Sequence, residues 1–143
     1  MADGAPMNPS FLPAHMVRLI SGSDRKKLGI QTDGERMAKY RASTRSALTK
    51  QVVQYLQLRG IEVCWAATHK KSTMTKGWPD ITFAVKAGGF CMPCAYEVKF
   101  GADTLSREQN DRIERMKSSP NCWRVRIISS FIQVVDDMRE LGL

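Results

Sequence analysis

Three ionisable residues, Asp80, Glu97 and Lys99, sit in the stretch KGWPDITFAVKAGGFCMPCAYEVKFGADTLSREQ, which runs from Lys76 to Gln109. Two acids brought close together repel unless a cation or a proton lies between them. A hard, oxygen-preferring ion such as Mg²⁺ or Mn²⁺ suits such a pair. A metal held by carboxylates, with an ammonium beside it, can activate water and neutralise negative charge that builds up during hydrolysis. Asp80 and Glu97 are the candidate ligands, with the Val98 main-chain carbonyl as a third. Lys99 is the candidate for orienting the water or stabilising developing charge.

Two apolar runs must position these groups. Ile81–Val85 and Ala95–Phe100 read as strands, bounded by turn residues at Gly77–Pro79, Gly88–Gly89 and Gly101. Alternation along a strand places Glu97 and Lys99 on one face and Tyr96, Val98 and Phe100 on the other. Pairing of the two runs as a hairpin carries Asp80 toward Glu97.

The series Gly77-Trp78-Pro79-Asp80, Glu97-Val98-Lys99 and Leu105-Ser106-x-x-Gln109 resembles the PD-(D/E)xK nucleases, and within them the VRR-NUC (virus-type replication-repair nuclease) branch. Order and spacing agree over about residues 45–130. The generic Pro-Asp and Glu-x-Lys pair is weak on its own. The preceding glycine and the Leu-Ser-x-x-Gln that follows make the pattern more specific. The resemblance implies a restriction-endonuclease-like core, a metal-dependent endonuclease acting on branched DNA such as Holliday junctions, and a homodimer. It places the essential lysine at Lys99 and a site-bordering glutamine at Gln109. Ser106-x-x-Gln109 also fits a capping box.

One departure stands out. The family carries a glutamate near the start of its first core helix, and that place falls near Arg45. No acid is available there. Gln51 is a neutral substitute, and Glu35 serves only if the helix begins much earlier.

The remaining elements follow from periodicity. Leu48, Val52, Tyr55 and Leu56 mark one face of a helix over 46–59, capped by Ser43 or Thr44 and ended by Gly60. Ile61–Ala67 alternates as a strand, Ser106 to Ser118 reads as a helix, Trp123–Ile128 as a strand and Ser130 to Leu141 as a helix. The order α-β-β-β-α-β-α predicts an α/β fold with a four-stranded mixed sheet flanked by helices. Residues 43–143 form the expected nuclease domain, and residues 1–42 a basic extension whose first 14 residues read as a mobile tail. Within it, Ala14–Ile20 reads as a helical turn or two, Ser21–Lys27 as a loop and Asp33–Tyr40 as helical.

Net charge is +8, and residues 17–50 hold nine Lys and Arg against three Asp and Glu, so the surplus is concentrated upstream of the motifs. That asymmetry points to a polyanion, with DNA ahead of membrane. Arg25, Lys26, Lys27, Arg45, Lys70, Lys71 and Lys76 are the candidate phosphate contacts. No apolar run is long enough to cross a membrane, and the N-terminus lacks the pattern of a secretion signal. The expected setting is the cytoplasm of a bacterial cell or phage-infected host. Two further readings stay open: a DNA-binding module of the same fold with weak or lost catalysis, and a structural zinc protein using Cys91-x-x-Cys94.

Overall fold

The computed structural model describes residues 19–29, 31–65 and 76–143. The chain divides into two compact units, Met1–Tyr40 and Arg41–Leu143. Among the described residues no helix is long and apolar enough to cross a membrane.

The first unit contains helices α1 (Gly22–Lys27) and α2 (Asp33–Ala38). The expected loop at Ser21–Lys27 is therefore a helix. Its start is set locally: the Ser21 hydroxyl accepts from the Asp24 N–H at 3.2 Å and donates to the Asp24 carboxylate at 2.7 Å. Polar composition concealed a serine in a good capping position. The expected turn at Ala14–Ile20 lies almost wholly outside the described residues.

The second unit runs α3 (Arg45–Leu58), β1 (Val63–Trp65), β2 (Ile81–Ala87), β3 (Phe90–Val98), α4 (Arg107–Lys117), β4 (Arg124–Ile128) and α5 (Phe131–Glu140). This is the expected α-β-β-β-α-β-α order. The sheet is mixed: β1, β2 and β3 are antiparallel neighbours, and β4 joins β3 in parallel.

β2 and β3 reach further toward the hairpin than their apolar runs suggest, because they continue to a two-residue Gly88–Gly89 turn with both φ positive, while β3 ends at Val98 and leaves Lys99 and Phe100, expected within the strand, just beyond it. Positive φ at both central residues is the hairpin geometry that matches strand twist. Pro93 falls inside β3, yet pairing with β4 begins only at Cys94. It therefore occupies the two-stranded arm, where a missing donor is tolerated.

Alternation then sorts side chains onto two layers. Ile81, Phe83, Val85, Cys94, Tyr96 and Val98 are buried on one face. With Leu48, Val52, Tyr55 and Leu56 of α3 and Phe131, Val134 and Met138 of α5, they make up most of the core. Each such side chain contributes about 1.5–3 kcal/mol on burial. The opposite face carries a smaller cluster, Ala95, Val125, Ile113 and Met116, with Trp78, Leu105 and Trp123 packed around it.

The same alternation separates the two cysteines of Cys91-x-x-Cys94. Cys91 and Cys94 stand on opposite faces of a continuous strand, one exposed and one buried, and all four cysteines are free. Burial pushes the Cys94 thiol up to about 11, so this cysteine is a neutral core side chain at ordinary pH.

α5 is tied to the sheet through buried Asp137. Its carboxylate accepts from Tyr96 Oη at 2.8 Å, Arg124 Nη2 at 2.6 Å and Arg126 Nε at 2.8 Å. Burial alone raises its pKa, but hydrogen bonds from Arg124, Arg126 and Tyr96 outweigh that and hold the carboxyl below its ordinary 3.8. A depressed carboxyl stabilises the fold above its unfolded pKa, and that stability is lost as pH falls through the folded value. Thermal unfolding followed from pH 6 downward therefore shows a loss of stability that begins near pH 3.8 and continues below it. Asp137→Asn lacks that component, and an equally steep acid limb in the variant excludes this role.

Candidate active site

Hairpin register assembles the centre. Ile81 pairs with Tyr96, and one step further sets Asp80 opposite Glu97. Asp80 is locked there by the Val98 N–H, which donates to its Oδ2 at 2.9 Å. Val98, expected to lend its carbonyl, thus serves the cluster first through its N–H.

Glu97 lies on the smaller-core face of β3 and is fully buried. Its Oε1 lies 3.2 Å from Lys99 Nζ and accepts from the Gln109 side-chain amide. Its Oε2 is buried and has no hydrogen-bond partner among the described residues. Burial first, then the charge of Asp80, pushes the Glu97 carboxyl above its ordinary value, while Lys99 and Arg45 pull it back. Lys99 is itself buried and donates to Gln109 Oε1 at 2.9 Å.

Gln109 does two jobs with one oxygen. Its Oε1 accepts from the Ser106 N–H at 2.9 Å, closing the capping box of α4, and also accepts from Lys99. Its amide nitrogen donates to Glu97. The cap fixes the residue and the residue clamps the Glu97–Lys99 pair. A second capping box at Ser130–Gln133 has the same pattern without this cluster.

The first turn of α4 is seated on Gly77. A β-carbon there would stand 2.5 Å from the Glu108 carbonyl oxygen and 3.2 Å from the Gln109 nitrogen, at a φ of +79°. Trp78 packs edge-on against Trp123, with the Arg112 guanidinium 5.8 Å from its ring centre. Gly-Trp-Pro-Asp is thus the seat on which the glutamine-bearing helix is docked.

Arg45, expected among the phosphate contacts, turns inward: its Nη2 donates to both Asp80 oxygens at 2.9 and 2.8 Å and stands 3.5 Å from Glu97 Oε1. Partial burial opposes its charge, but Asp80 and Glu97 outweigh that and raise its pKa. This contact was hidden in the sequence; the one signal was a basic residue at the place where the resembled pattern has an acid.

Gln51 lies six residues along α3, about 240° round the axis, and so does not share the face from which Arg45 reaches the carboxylates. Glu35 belongs to α2 in the first unit, because α3 begins only at Arg45. Lys76 is exposed and pairs with Glu108 at 2.8 Å. Arg25, Lys26 and Lys27 lie on α1 of the first unit, and Lys70 and Lys71 lie outside the described residues.

Among the described residues, no group of three or more His, Cys, Asp or Glu side chains is placed to hold a metal ion. Two carboxylates are present, and one has a buried oxygen without a partner. That donor set fits Mg²⁺ or Mn²⁺, which are bound through one or two carboxylates and complete their shells with water and substrate phosphate. The chain has no match among family models, curated proteins or solved structures.

Proposed function

We propose that this chain is a Mg²⁺- or Mn²⁺-dependent endodeoxyribonuclease of the VRR-NUC type, acting as a homodimer on branched DNA. One observation carries the reading: fully buried Glu97, with an unpartnered Oε2, converges with Asp80, Lys99 and Gln109 on one point. A buried carboxylate oxygen left without a hydrogen bond, as Oε2 is among the described residues, is costly to maintain for structure alone. The basic surplus of the chain supports a polyanionic substrate.

Asp80 and Glu97 would hold the ion, with the Val98 carbonyl as the third protein ligand. When bound, the ion supplies Lewis acidity and neutralises charge on the phosphoryl group. The chain's own residues do the rest. An ammonium has three donors, and among the described residues Lys99 meets Glu97 and Gln109 with two of them. That remaining N–H is available to a phosphoryl oxygen or to the attacking water. Gln109 holds the ammonium at a fixed distance from Glu97, so little reorganisation accompanies charge development.

The test is a panel of linear, single-stranded, flap and four-way DNA substrates, each incubated with Mg²⁺ or Mn²⁺. The expected result is metal-dependent nicking, strongest on the branched forms and absent with chelator. No metal-dependent cutting of any substrate overturns the enzyme reading. The second reading, a DNA-binding module with weak or lost catalysis, is favoured by Arg45, which takes up both carboxylates. Retained DNA binding without cutting is its signature.

A further inference from the structure

Arg45 bridges two carboxylates, one just ahead of β2 and one on β3, through a single nitrogen. Any other cation that bonds the same oxygens must contest them with this one. The charges of Asp80, Glu97, Lys99 and Arg45 cancel. A divalent ion added with Arg45 still in place leaves two positive charges in excess within a partly buried cluster. Like charges at this separation, away from bulk water, repel strongly.

Arg45 stands at the rim of the cluster, nearer to solvent than the other cation. It is the first residue of α3, directly after the capping Thr44, and 39% of its side chain is exposed. Its withdrawal opens no hydrophobic core. Lys99 differs: only 11% of its side chain is exposed, and Gln109 holds it as well.

We propose that Arg45 is a resident cation that competes with the divalent ion for Asp80 and Glu97. The protein is then poised between an arginine-closed and a metal-loaded state. The identity of the competing ion rests on the nuclease reading above. The competition itself rests on the contacts of Arg45. By linkage, what Arg45 contributes to holding the carboxylates is subtracted from the affinity for the ion.

The experiment measures Mn²⁺ binding to the full metal-free chain through the free-ion electron paramagnetic resonance signal. Wild type is compared with Arg45→Met, Arg45→Gln and Asp80→Asn, each checked for folding by circular dichroism. Arg45→Met binds Mn²⁺ at least about tenfold tighter than wild type, and Asp80→Asn loses binding. Arg45→Gln keeps a donor without the charge, shifts in the same direction, and decides the matter if Arg45→Met fails to fold. Equal or weaker binding by the folded Arg45 variant overturns the competition, while leaving the nuclease reading intact if wild type binds Mn²⁺ and cuts DNA. No Mn²⁺ binding by any form overturns both.

Discussion

Lys99→Met lowers metal-dependent cleavage by about a thousandfold, as expected when a group poised for transition-state charge is removed. Methionine keeps the apolar stem in its buried position and deletes only the ammonium, so the loss reports charge rather than packing. Glu97, already pushed above its ordinary pKa by burial and by Asp80, loses the Lys99 charge that pulls it back. Stability falls by about 2 kcal/mol, the scale of a hydrogen bond to a charged group. Mn²⁺ binding persists, because Asp80 and Glu97 remain. Single-turnover cleavage with saturating Mn²⁺, run beside a urea titration, separates the two effects. Cleavage within a factor of a few of wild type removes Lys99 from the reaction.

Gly77→Ala is the largest stability effect expected from one added methyl group. The new carbon meets backbone, not a flexible side chain, at 2.5 Å, and the residue sits at φ +79°. Left-handed strain costs about 1–2 kcal/mol, and overpacking against the backbone of the helix turn about 1–3 kcal/mol more. The sum is about 2–5 kcal/mol, a fall in melting temperature of roughly 10–20 °C for a domain of this size. Gly89→Ala is the matched control, since its φ is +83° and nothing lies within 4 Å of the added carbon. It shows the strain without the collision. Cleavage falls in Gly77→Ala as well, because relief of the clash displaces the turn that carries Gln109. Equal melting temperatures for the two variants rule out the docking role of Gly77.

Much of this was legible from residue order. Alternation alone put Glu97 with Lys99 and against Tyr96 and Val98, and the contacts agree: Glu97 and Lys99 meet each other and Gln109, while Tyr96 packs on Phe83 and bonds Asp137. The helix faces of α3 and α5 came from apolar spacing, because a stripe every three to four residues is what one buried side of a helix requires. What escaped has a common cause. The full reach of β3 through Cys91–Cys94 was obscured by a proline, whose tolerance depends on where the neighbouring strand ends. The helix at Gly22–Lys27 was obscured by polar composition, which says nothing of a local cap. The inward turn of Arg45 depends on two strands arriving beside the helix start, and no local pattern encodes that meeting. Gln109 could be read as a cap or as a site residue, and only the approach of Lys99 and Glu97 to its side chain shows it doing both.

The unequal packing on the two sides of the sheet has a dynamic consequence. Asp80, Glu97 and Lys99 are anchored through strands whose other face is sealed by α3 and α5. Gln109 rides on α4, held by four buried residues and the tryptophan seat. Elements with fewer buried contacts open first, by partial unfolding that leaves the rest intact. α4 is therefore expected to open ahead of the main core, and its lifting takes the Gln109 side chain from both Glu97 and Lys99 while their direct ion pair stays, so an assembled cluster is a narrower condition than foldedness.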